Sequence, residues 1–485
     1  MAATDFPTWR GRLEYVCLKC GARFPGDELH YSCPECGGVF LLEDTKFDEL
    51  KSRPGSWWRE LFDRRRLTAL PALSGIFRFY ELIAPVFDEQ DIVYLGEGNT
   101  PVIVAAGRLQ KELDARFAYK NDGQNPSGSF KDRGMACAFS CLKWLCRIHG
   151  WNEVLTICAS TGDTSAAAAL YAAYVGPPLK SVVLLPKGKV TAQQLAQPLG
   201  SGATVLELPG VFDDCMAVVE ILASRYRVAL LNSKNSWRIL GQESYPFEVA
   251  QWRDWQMDDL CVFVPVGNAG NITAIMAGFL KMLELQIITS LPRVFGVQSS
   301  HADPVFRYYN APPDRRVWRP VEVRPSVAQA AMIGNPVSMP RVQALAQKYA
   351  DIAGADAFQV VRVTEQEIMD AMLLANRHGH IACTQGGECL AGMKAARQDG
   401  AMKADDFAVL DSTAHALKFA DFQTRYFSRQ LGPEYEITSR ESLVNLPQDV
   451  LPESSRGELP RPAYAQEAAA RIAGLLGLAP KKDRK

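Results

Sequence analysis

The sequence predicts an α/β protein whose strands lie in largely parallel sheets. From about Tyr94 onward, short β-branched runs alternate with segments of helical hydrophobic period, which is the pattern of strand–helix units. Several of the runs end in turns rich in glycine, serine and asparagine, and ligands bind beyond the carboxyl ends of parallel strands. The length of 485 residues indicates two or three domains rather than one.

The individual elements follow from the same patterns. The predicted strands are Val154–Cys158, Ser181–Leu185, Thr204–Leu208, Val228–Leu231, Cys261–Val266, Arg293–Gln298, Val360–Val363 and Ala408–Asp411. The predicted helices are Met135–Ile148, Ser165–Val175, Trp237–Trp252, Ile272–Leu285, Glu365–His378 and Glu388–Gln398. Residues 364–367 read Thr-Glu-Gln-Glu, a capping box that supports the start of the helix at Glu365.

Composition and charge exclude several classes of function. The net charge of −1 gives no support to binding of nucleic acid or of a membrane surface. The first residues, MAATDFPTWRGR, contain no apolar core of signal-peptide length. The most apolar run, Ala166–Val175, is too short to span a bilayer. We therefore expect a cytoplasmic protein.

Four of the twelve cysteines form a group of their own near the N-terminus. They are Cys17, Cys20, Cys33 and Cys36. Each CxxC pair is followed by a glycine, and two such pairs are the pattern of a zinc ribbon. A redox CxxC pair is the alternative, but it would not need the second pair. We therefore predict a zinc-ribbon-like module over residues 10–45 that holds a zinc ion. Its charges are balanced and lack the basic footprint of a nucleic-acid-binding ribbon, so we expect its role to be structural.

Two further segments lack the strand–helix alternation. Residues 46–93 hold tryptophans, arginines and prolines without clear periodicity, and we expect a connector that packs on the main body. Residues 433–485 begin with a proline- and glutamate-rich stretch and continue into an alanine-rich helix candidate, Ala463–Leu476. We expect a peripheral C-terminal tail without catalytic residues. The region between them, 94–432, would hold the chemistry.

The stretch Asn125–Gly134, NPSGSFKDRG, places one lysine, Lys131, after an Asn-Pro turn and at the start of a predicted helix. A lysine becomes a nucleophile when its amine is partly deprotonated, as happens when it is desolvated or lies beside another cation. Schiff-base chemistry with pyridoxal phosphate (PLP) needs such a lysine on a rigid element. A solvated surface lysine is the usual alternative for any single lysine.

Several loops at strand ends could bind an anion. The strand Cys261–Val266 runs into Gly267-Asn268-Ala269-Gly270-Asn271 and then a helix, so backbone N–H groups and the helix N-terminus can converge on a phosphate. The loop is not GxGxxG and lacks a phosphate-loop lysine, which argues against dinucleotide or ATP binding.

Three other loops carry comparable polar groups. The loop before the helix at Ser165 contains Ser160, Thr161 and Thr164, which suit a carboxylate or phosphate or simply cap the helix. The loop 232–238, NSKNSWR, could grip a phosphate through Arg238 or cap the next helix. Residues 412–415, Ser-Thr-Ala-His, offer a neutral hydroxyl at a strand end. Together with the lysine segment, these loops predict one site.

The motifs in this order resemble those of the threonine synthase family, PLP enzymes of the tryptophan-synthase-β (fold type II) group. The resemblance covers roughly residues 90–420, and many members also carry an N-terminal CxxC ribbon. The segments are LGEGNTP (Leu95–Pro101), NPSGSFKDRG, ASTGDTS, NSKNSWRILGQ (Asn232–Gln242), PVGNAGNITAI (Pro265–Ile275) and STAHALK (Ser412–Lys418).

The resemblance implies a role for each matched residue. Lys131 would carry the cofactor and act as general base and acid, and Thr413 would face the pyridine nitrogen. The other cofactor-binding residues would be Asp163, Gly267, Asn268, Ala269, Gly270 and Asn271. The substrate-binding residues would be Ser160, Thr161, Thr164, Asn232, Ser233 and Arg238.

The resemblance also implies the fold and the reaction. We expect two α/β lobes, the smaller spanning roughly residues 135–250, behind the zinc-ribbon-like module. The expected reaction converts O-phospho-L-homoserine and water to L-threonine and phosphate, the last step of threonine biosynthesis. A homodimer is expected for the family.

Two positions depart from the pattern of many relatives. Asp163 stands where many have an asparagine that bonds the ring oxygen of the cofactor, and a carboxylate would repel a phenolate there. Residues 383–387, Cys-Thr-Gln-Gly-Gly, lack the Glu-Pro of many fold type II enzymes.

Rival readings remain open at this point. A cysteate synthase-like lyase acting on O-phosphoserine, or a serine/threonine dehydratase, would share the fold. Arg238 and its neighbours favour a phosphorylated substrate and so disfavour a simple dehydratase. A zinc-ribbon binding protein with a catalytically silent body is the rival of a different class.

Overall fold

A computed structural model describes residues 5–160, 162–187, 192–210, 212–455 and 460–479. Within them the strands are β1 Leu13–Cys17, β2 Arg23–Pro25, β3 Phe40–Asp44, β4 Val102–Val104, β5 Arg116–Lys120, β6 Val154–Ala159, β7 Leu179–Pro186, β8 Thr204–Leu208, β9 Val228–Leu230, β10 Leu260–Pro265, β11 Arg293–Ser299, β12 Phe358–Val363 and β13 Phe407–Asp411.

The helices of the same residues lie between the strands and in the two flanking segments. They are α1 Phe47–Leu50, α2 Gly55–Arg65, α3 Tyr80–Ile83, α4 Gly107–Leu113, α5 Lys131–His149, α6 Asp163–Val175, α7 Ala192–Gly200, α8 Phe212–Arg225, α9 Ser236–Gln242, α10 Ser244–Trp252, α11 Gly270–Glu284, α12 Pro304–Tyr309, α13 Met339–Ala353, α14 Glu365–Arg377, α15 Thr384–Gln398, α16 Ala420–Phe427 and α17 Arg461–Leu475.

The strands form three sheets. The N-terminal sheet, in the order β2-β1-β3, is antiparallel. The larger sheet of the main body has the order β12-β11-β10-β13-β5-β4, and its pairs are parallel except for β4 with β5. The smaller sheet has the order β8-β7-β6-β9 and is parallel throughout. The strand–helix alternation of the sequence therefore produces one parallel and one largely parallel sheet with helical crossovers.

The predicted strands are present, with ends displaced by a residue or two. The structure adds β4 and β5 to the larger sheet, and neither was predicted. The single helix expected over Trp237–Trp252 is wrong, because the structure has α9 and α10 separated at Glu243. Pro246 explains the break, since it has no N–H to donate to the carbonyl oxygen of Gln242.

The connector packs on the main body, as expected. Ile76, Phe77, Phe79 and Ile83 are buried, and the rings of Phe79 and Phe247 lie 5.2 Å apart. In the tail, α17 has no buried residue. None of the helices in the described part of the chain is long and apolar enough to cross a membrane.

A buried cluster of charges fixes the start of α5. The Arg133 guanidinium is fully buried and forms ion pairs with Asp122 and Glu248, both at 2.8 Å. Lys120 Nζ, also buried, pairs with Glu248 at 2.7 Å and donates to Thr100 Oγ1 at 2.6 Å. These bonds join the end of β5 and the start of α5 to α10, because buried charges are tolerated only with such partners.

Candidate active site

The start of α5 lies between the two parallel sheets, where loops from both converge on one cavity. The cavity occupies about 590 Å³, including its opening to solvent. Ten of the residues predicted for the site line it: Lys131, Asp163, Ser233, Arg238, Gly267, Asn268, Ala269, Gly270, Asn271 and Thr413. The loops come from the ends of β6, β9, β10 and β13, as the strand-end argument requires.

Backbone contacts between two distant segments hold Lys131 in place. The Phe130 N–H donates to the Thr413 carbonyl oxygen at 2.9 Å, and Ser129 forms an isolated antiparallel bridge with Ala414. Gly123 approaches the same strand end so closely that an added Cβ would lie 2.5 Å from the Ala414 carbonyl carbon. The first residue of α5 is thereby tied to the end of β13.

The Lys131 amine lies in an environment that disfavours its charge. The side chain is half-buried, and Nζ lies 3.7 Å from the centroid of the Phe130 ring. Burial, together with the nearby Arg238 cation, lowers the pKa of Lys131 from 10.5 to about 7. A large fraction of this amine is therefore neutral at neutral pH, which is the state that attacks a carbonyl group or accepts a proton.

The loop Gly267–Asn271 has the geometry of an anion site. Ala269 adopts a left-handed conformation, with φ of 61°, and α11 begins at the next residue. Gly267 packs against residues 330–331, where an added Cβ would lie 2.9 Å from the Ala331 Cα. The loop therefore brings backbone N–H groups and the N-terminus of α11 to the cavity wall.

Arg238 is a buried cation without a counter-ion. Only 2% of it is exposed, its Nη1 donates to the Leu231 carbonyl oxygen at 2.8 Å, and Nε has no partner. None of the ion pairs in the described part of the chain includes it. Burial lowers the pKa of Arg238 to about 10. A desolvated guanidinium that faces a cavity with no carboxylate beside it favours binding of an anion.

Asp163, which lines the cavity, does have a counter-ion. Its Oδ1 lies 2.8 Å from Lys418 Nζ, which also donates to the Ser127 carbonyl oxygen at 3.0 Å. Lys418 was not predicted as a site residue, although it ends the STAHALK segment of the resemblance. Its amine balances the Asp163 carboxylate. The charge at Asp163 is thus compensated within the protein.

Two further polar groups were missed by the sequence reasoning. Gln385, at the start of α15, lines the cavity, and neither its Oε1 nor its Nε2 has a partner. Asp411 is fully buried, and its Oδ2 accepts from Asn271 Nδ2 at 2.7 Å. Burial raises the pKa of Asp411 well above its usual range. The unpartnered amide of Gln385 in a buried wall indicates a ligand that supplies hydrogen bonds.

The remaining predicted residues lie differently. Ser160 and Thr164 are half-buried, and neither belongs to the cavity wall as the structure describes it; Ser160 Oγ accepts from the Gly162 N–H at 3.3 Å. Asn232 bonds both backbone groups of Ala159, at 3.1 Å and 2.6 Å, and so joins the ends of β6 and β9. Thr161 lies outside the described residues. The substrate contacts of these four stay predictions.

The four N-terminal cysteines form a compact cluster apart from this cavity. Their sulfur atoms all lie within 4.8 Å of one another, with neighbouring Sγ atoms 3.4 to 3.7 Å apart. The loops after Cys17 and Cys33 are tight knuckles, in which the N–H groups of Gly21 and Gly37 donate back to the first cysteine at 2.9 and 2.8 Å. Thiols without disulfide bonds at this spacing suit a tetrahedral zinc ion.

A half-neutral lysine, a glycine-rich anion loop and a strand-end threonine in one cavity between two α/β lobes are the features of a PLP-dependent enzyme. The comparison with protein families agrees: residues 93–412 match the family described as pyridoxal-phosphate dependent enzyme.

The chain is similar to curated relatives over most of its length. It is 37% identical over 412 residues to the threonine synthase of Methanocaldococcus jannaschii, covering 84% of this chain and 94% of the relative. It is 35% identical over 409 residues to the chloroplastic threonine synthase 2 of Arabidopsis thaliana, covering 84% and 76%. The chain belongs to the pyridoxal-phosphate dependent enzymes and, within them, to the threonine synthase family.

Solved structures agree on the fold. The threonine synthase of Escherichia coli superposes with a TM-score of 0.62 at 22% identity, covering 90% of this chain and 95% of that one. Maize serine racemase superposes with a TM-score of 0.54 at 17% identity, covering 68% and 92%. The predicted α/β fold of type II PLP enzymes is confirmed.

Proposed function

We propose that this enzyme converts O-phospho-L-homoserine and water to L-threonine and phosphate. The observation that carries the proposal is the pairing, in one cavity, of the Lys131 amine with the Arg238 guanidinium, for which the described residues supply no counter-ion. The amine suits the amino-acid end of the substrate, and the guanidinium suits its phosphate. The similarity to threonine synthases from an archaeon and a plant supports the same reaction.

The residues around Lys131 fit the cofactor. The loop Gly267–Asn271 would hold its phosphate, Thr413 would face the pyridine nitrogen, and Asp163 with Lys418 would face the ring oxygen. The unpartnered Gln385 amide in the same wall supports a polar ring nearby. PLP, when bound, supplies an electron sink that stabilises negative charge on the substrate carbons.

Lys131 would move the protons of the reaction. Because its pKa is about 7, the free amine accepts a proton from the substrate α carbon at neutral pH and can return it at a neighbouring carbon. Arg238 and Ser233 would hold the substrate phosphate and stabilise its charge as the bond to the γ carbon breaks. Ser160, Thr161, Thr164 and Asn232 are proposed to position the rest of the substrate.

The proposal is tested by phosphate release and threonine formation with the purified, PLP-loaded protein. We expect both products in equal amounts from O-phospho-L-homoserine, with O-phospho-L-serine, L-serine and L-threonine as parallel substrates. Turnover of O-phosphoserine alone would indicate a cysteate synthase-like lyase, and turnover of the free amino acids alone would indicate a dehydratase. A protein that turns over none of the four, even when it shows the absorbance of bound PLP, would reject the proposed reaction.

For the N-terminal cluster we propose a structural zinc ion held by Cys17, Cys20, Cys33 and Cys36. The sulfur spacing and the glycine knuckles support it, and Gly38 leaves room for the cage because a Cβ there would lie 2.9 Å from Cys17 Sγ. Elemental analysis of protein purified without chelators should find about one zinc ion per chain. Its absence, with the four thiols free to react, would reject the zinc site.

We also propose the domain limits expected from the sequence: 10–45 for the ribbon-like module, 46–93 for the connector, 94–432 for the catalytic region with a smaller lobe near 135–250, and 433–485 for the tail. The separate sheets of residues 13–44 and 154–230 support the first and the smaller lobe. A cytoplasmic homodimer is proposed for the intact protein, and the mass in solution tests the dimer.

A further inference from the structure

The ribbon-like module lies directly behind the loop 232–238, which carries Ser233 and Arg238 into the cavity. The Trp237 Nε1–H donates to the Tyr15 hydroxyl of β1 at 2.9 Å. The Ser236 hydroxyl donates to the Phe40 carbonyl oxygen of β3 at 3.1 Å. Tyr15, Phe40, Ser236 and Trp237 are all buried. The two segments therefore share one dry, hydrogen-bonded interface.

Arg341 of α13 fastens this interface. Its guanidinium is fully buried and donates to three backbone carbonyl oxygens: Phe40 at 2.7 Å, Ser233 at 3.0 Å and Lys234 at 2.9 Å. It donates also to the hydroxyls of Ser338 at 3.0 Å and Ser236 at 3.2 Å. One guanidinium thus bonds the ribbon-like module and the loop that faces the cavity.

The partners of Arg341 are unusual for a buried cation. All are neutral, and none of the ion pairs among the described residues includes it. A buried charge without a carboxylate is costly and contributes little to stability compared with an apolar side chain of the same size. The planar fork of N–H groups, however, fixes the positions of three backbone carbonyl groups at once, which suits a residue that holds two segments in a set position relative to each other.

The loop needs such support because Arg238, the cation proposed to bind the substrate phosphate, has few hydrogen bonds of its own. Among the residues that the structure describes, the Arg238 side chain has one hydrogen bond, to the Leu231 carbonyl oxygen, and its Nε is unpartnered. A binding group must be held within a fraction of an ångström of its productive position by the residues around it. The bonds of Arg341 to the Ser233 and Lys234 carbonyls fix the backbone just before α9. Its bond to the Ser236 hydroxyl holds the first residue of α9, the helix whose first turn carries Arg238.

We propose that Arg341, braced against the Phe40 carbonyl of the ribbon-like module, positions the loop 232–238 for recognition of the substrate phosphate. The module then has a part in substrate affinity, although it contributes no residue to the cavity wall among those described. The inference rests on the proposed function, in which this loop binds phosphate. Arg341 touches no reacting atom and is a positioning residue.

The test compares Arg341→Met with the wild type in PLP-loaded protein, so that the cofactor's own phosphate site is filled. We expect the KM for O-phospho-L-homoserine and the dissociation constant of inorganic phosphate each to rise roughly 10- to 100-fold. The absorbance of bound PLP and the kcat at saturating substrate should change far less. Arg341→Lys, which keeps the charge but loses the fork, should give an intermediate rise.

The matched control is Arg65→Met in the connector. Arg65 is also buried, and it bonds Glu81 and the Arg78 carbonyl oxygen rather than the loop. The Arg65→Met variant should have a lower unfolding temperature than the wild type and the same dissociation constant for inorganic phosphate. An Arg341→Met variant whose phosphate affinity matches the wild type would overturn the inference, as would an equal loss of affinity in the Arg65 control.

A milder variant covers the case in which Arg341→Met does not fold. Tyr15→Phe keeps the ring but removes the acceptor of the Trp237 N–H, so the same rise in phosphate dissociation constant is expected on a smaller scale, about 2- to 10-fold. No rise would overturn the inference. If the wild type makes no threonine, the proposed reaction fails, whereas the phosphate titrations still decide the role of Arg341.

Discussion

Lys131→Ala should lower threonine formation from O-phospho-L-homoserine by about 1,000-fold or more, because the variant loses both the nucleophile and the proton carrier. The cavity around it should persist, since the start of α5 is held by the bonds of Phe130 and Arg133 rather than by the lysine. The measurement is phosphate release under saturating PLP and substrate, with the absorbance of bound PLP followed in parallel.

The control for this variant is another lysine of the same helix. Lys143 donates to the Gln90 carbonyl oxygen at 2.8 Å, away from the cavity, and Lys143→Ala should keep wild-type activity. A pH series adds a second readout: attachment of PLP to the cofactor-free wild type should slow as the pH falls through about 7, because only the neutral amine attacks. A Lys131→Ala variant with more than a tenth of wild-type activity would contradict the assigned role.

Lys418→Met should weaken PLP binding by roughly 10- to 100-fold, because it leaves the Asp163 carboxylate in the cavity without its partner. The pair is shielded from solvent: Asp163 is buried, and the Lys418 side chain is 20% exposed. A spectrophotometric titration of the cofactor-free protein with PLP measures the effect. The same variant should show a raised pKa of the Lys131 amine, since the Lys418 cation is one of the charges that lower it.

A double variant separates the two explanations of that loss. Lys418 is a cation beside a cavity proposed for an anionic cofactor, so its removal alone would weaken binding even if Asp163 had no part. Asp163→Asn combined with Lys418→Met replaces the ion pair by a neutral pair and should recover most of the lost affinity. A double variant that binds PLP no better than Lys418→Met would show that the compensation of Asp163 is not what matters.

The sequence predicted residues that the structure brings together in one cavity where the signal is local. A glycine-rich turn after a strand, such as Gly267–Asn271, combines backbone freedom with a helix N-terminus, and both are readable from adjacent residues. Lys131 stood out because it follows an Asn-Pro turn and opens an apolar helical segment, and its cofactor role came from the family resemblance. The parallel strands that lead to these loops are apolar on both faces, so their runs stand out from the loops around them.

The rest depends on partners far away in the chain. The strand β5, RFAYK, hides a buried lysine whose partner is Glu248, so no local pattern marks it as a central strand. Lys418 and Asp163 meet only in the folded protein, and Arg341 bonds backbone carbonyls, which any residue supplies. In a sequence, a charged residue that is buried by such long-range contacts cannot be distinguished from an ordinary surface residue.

The strand order of the larger sheet means that this sheet can be completed only after the smaller sheet has left the ribosome. β5 pairs with β13, residues 407–411, which leave the ribosome long after it, whereas the smaller sheet is built from the contiguous residues 154–230. Domains generally fold as their chain emerges, and contacts distant in sequence form late. The nascent chain can thus complete its smaller lobe while Lys131 still lacks the Thr413 carbonyl that fixes its helix. A polypeptide released before residue 407 retains Lys131 but lacks β13 and Thr413, which complete the larger sheet and the cavity wall.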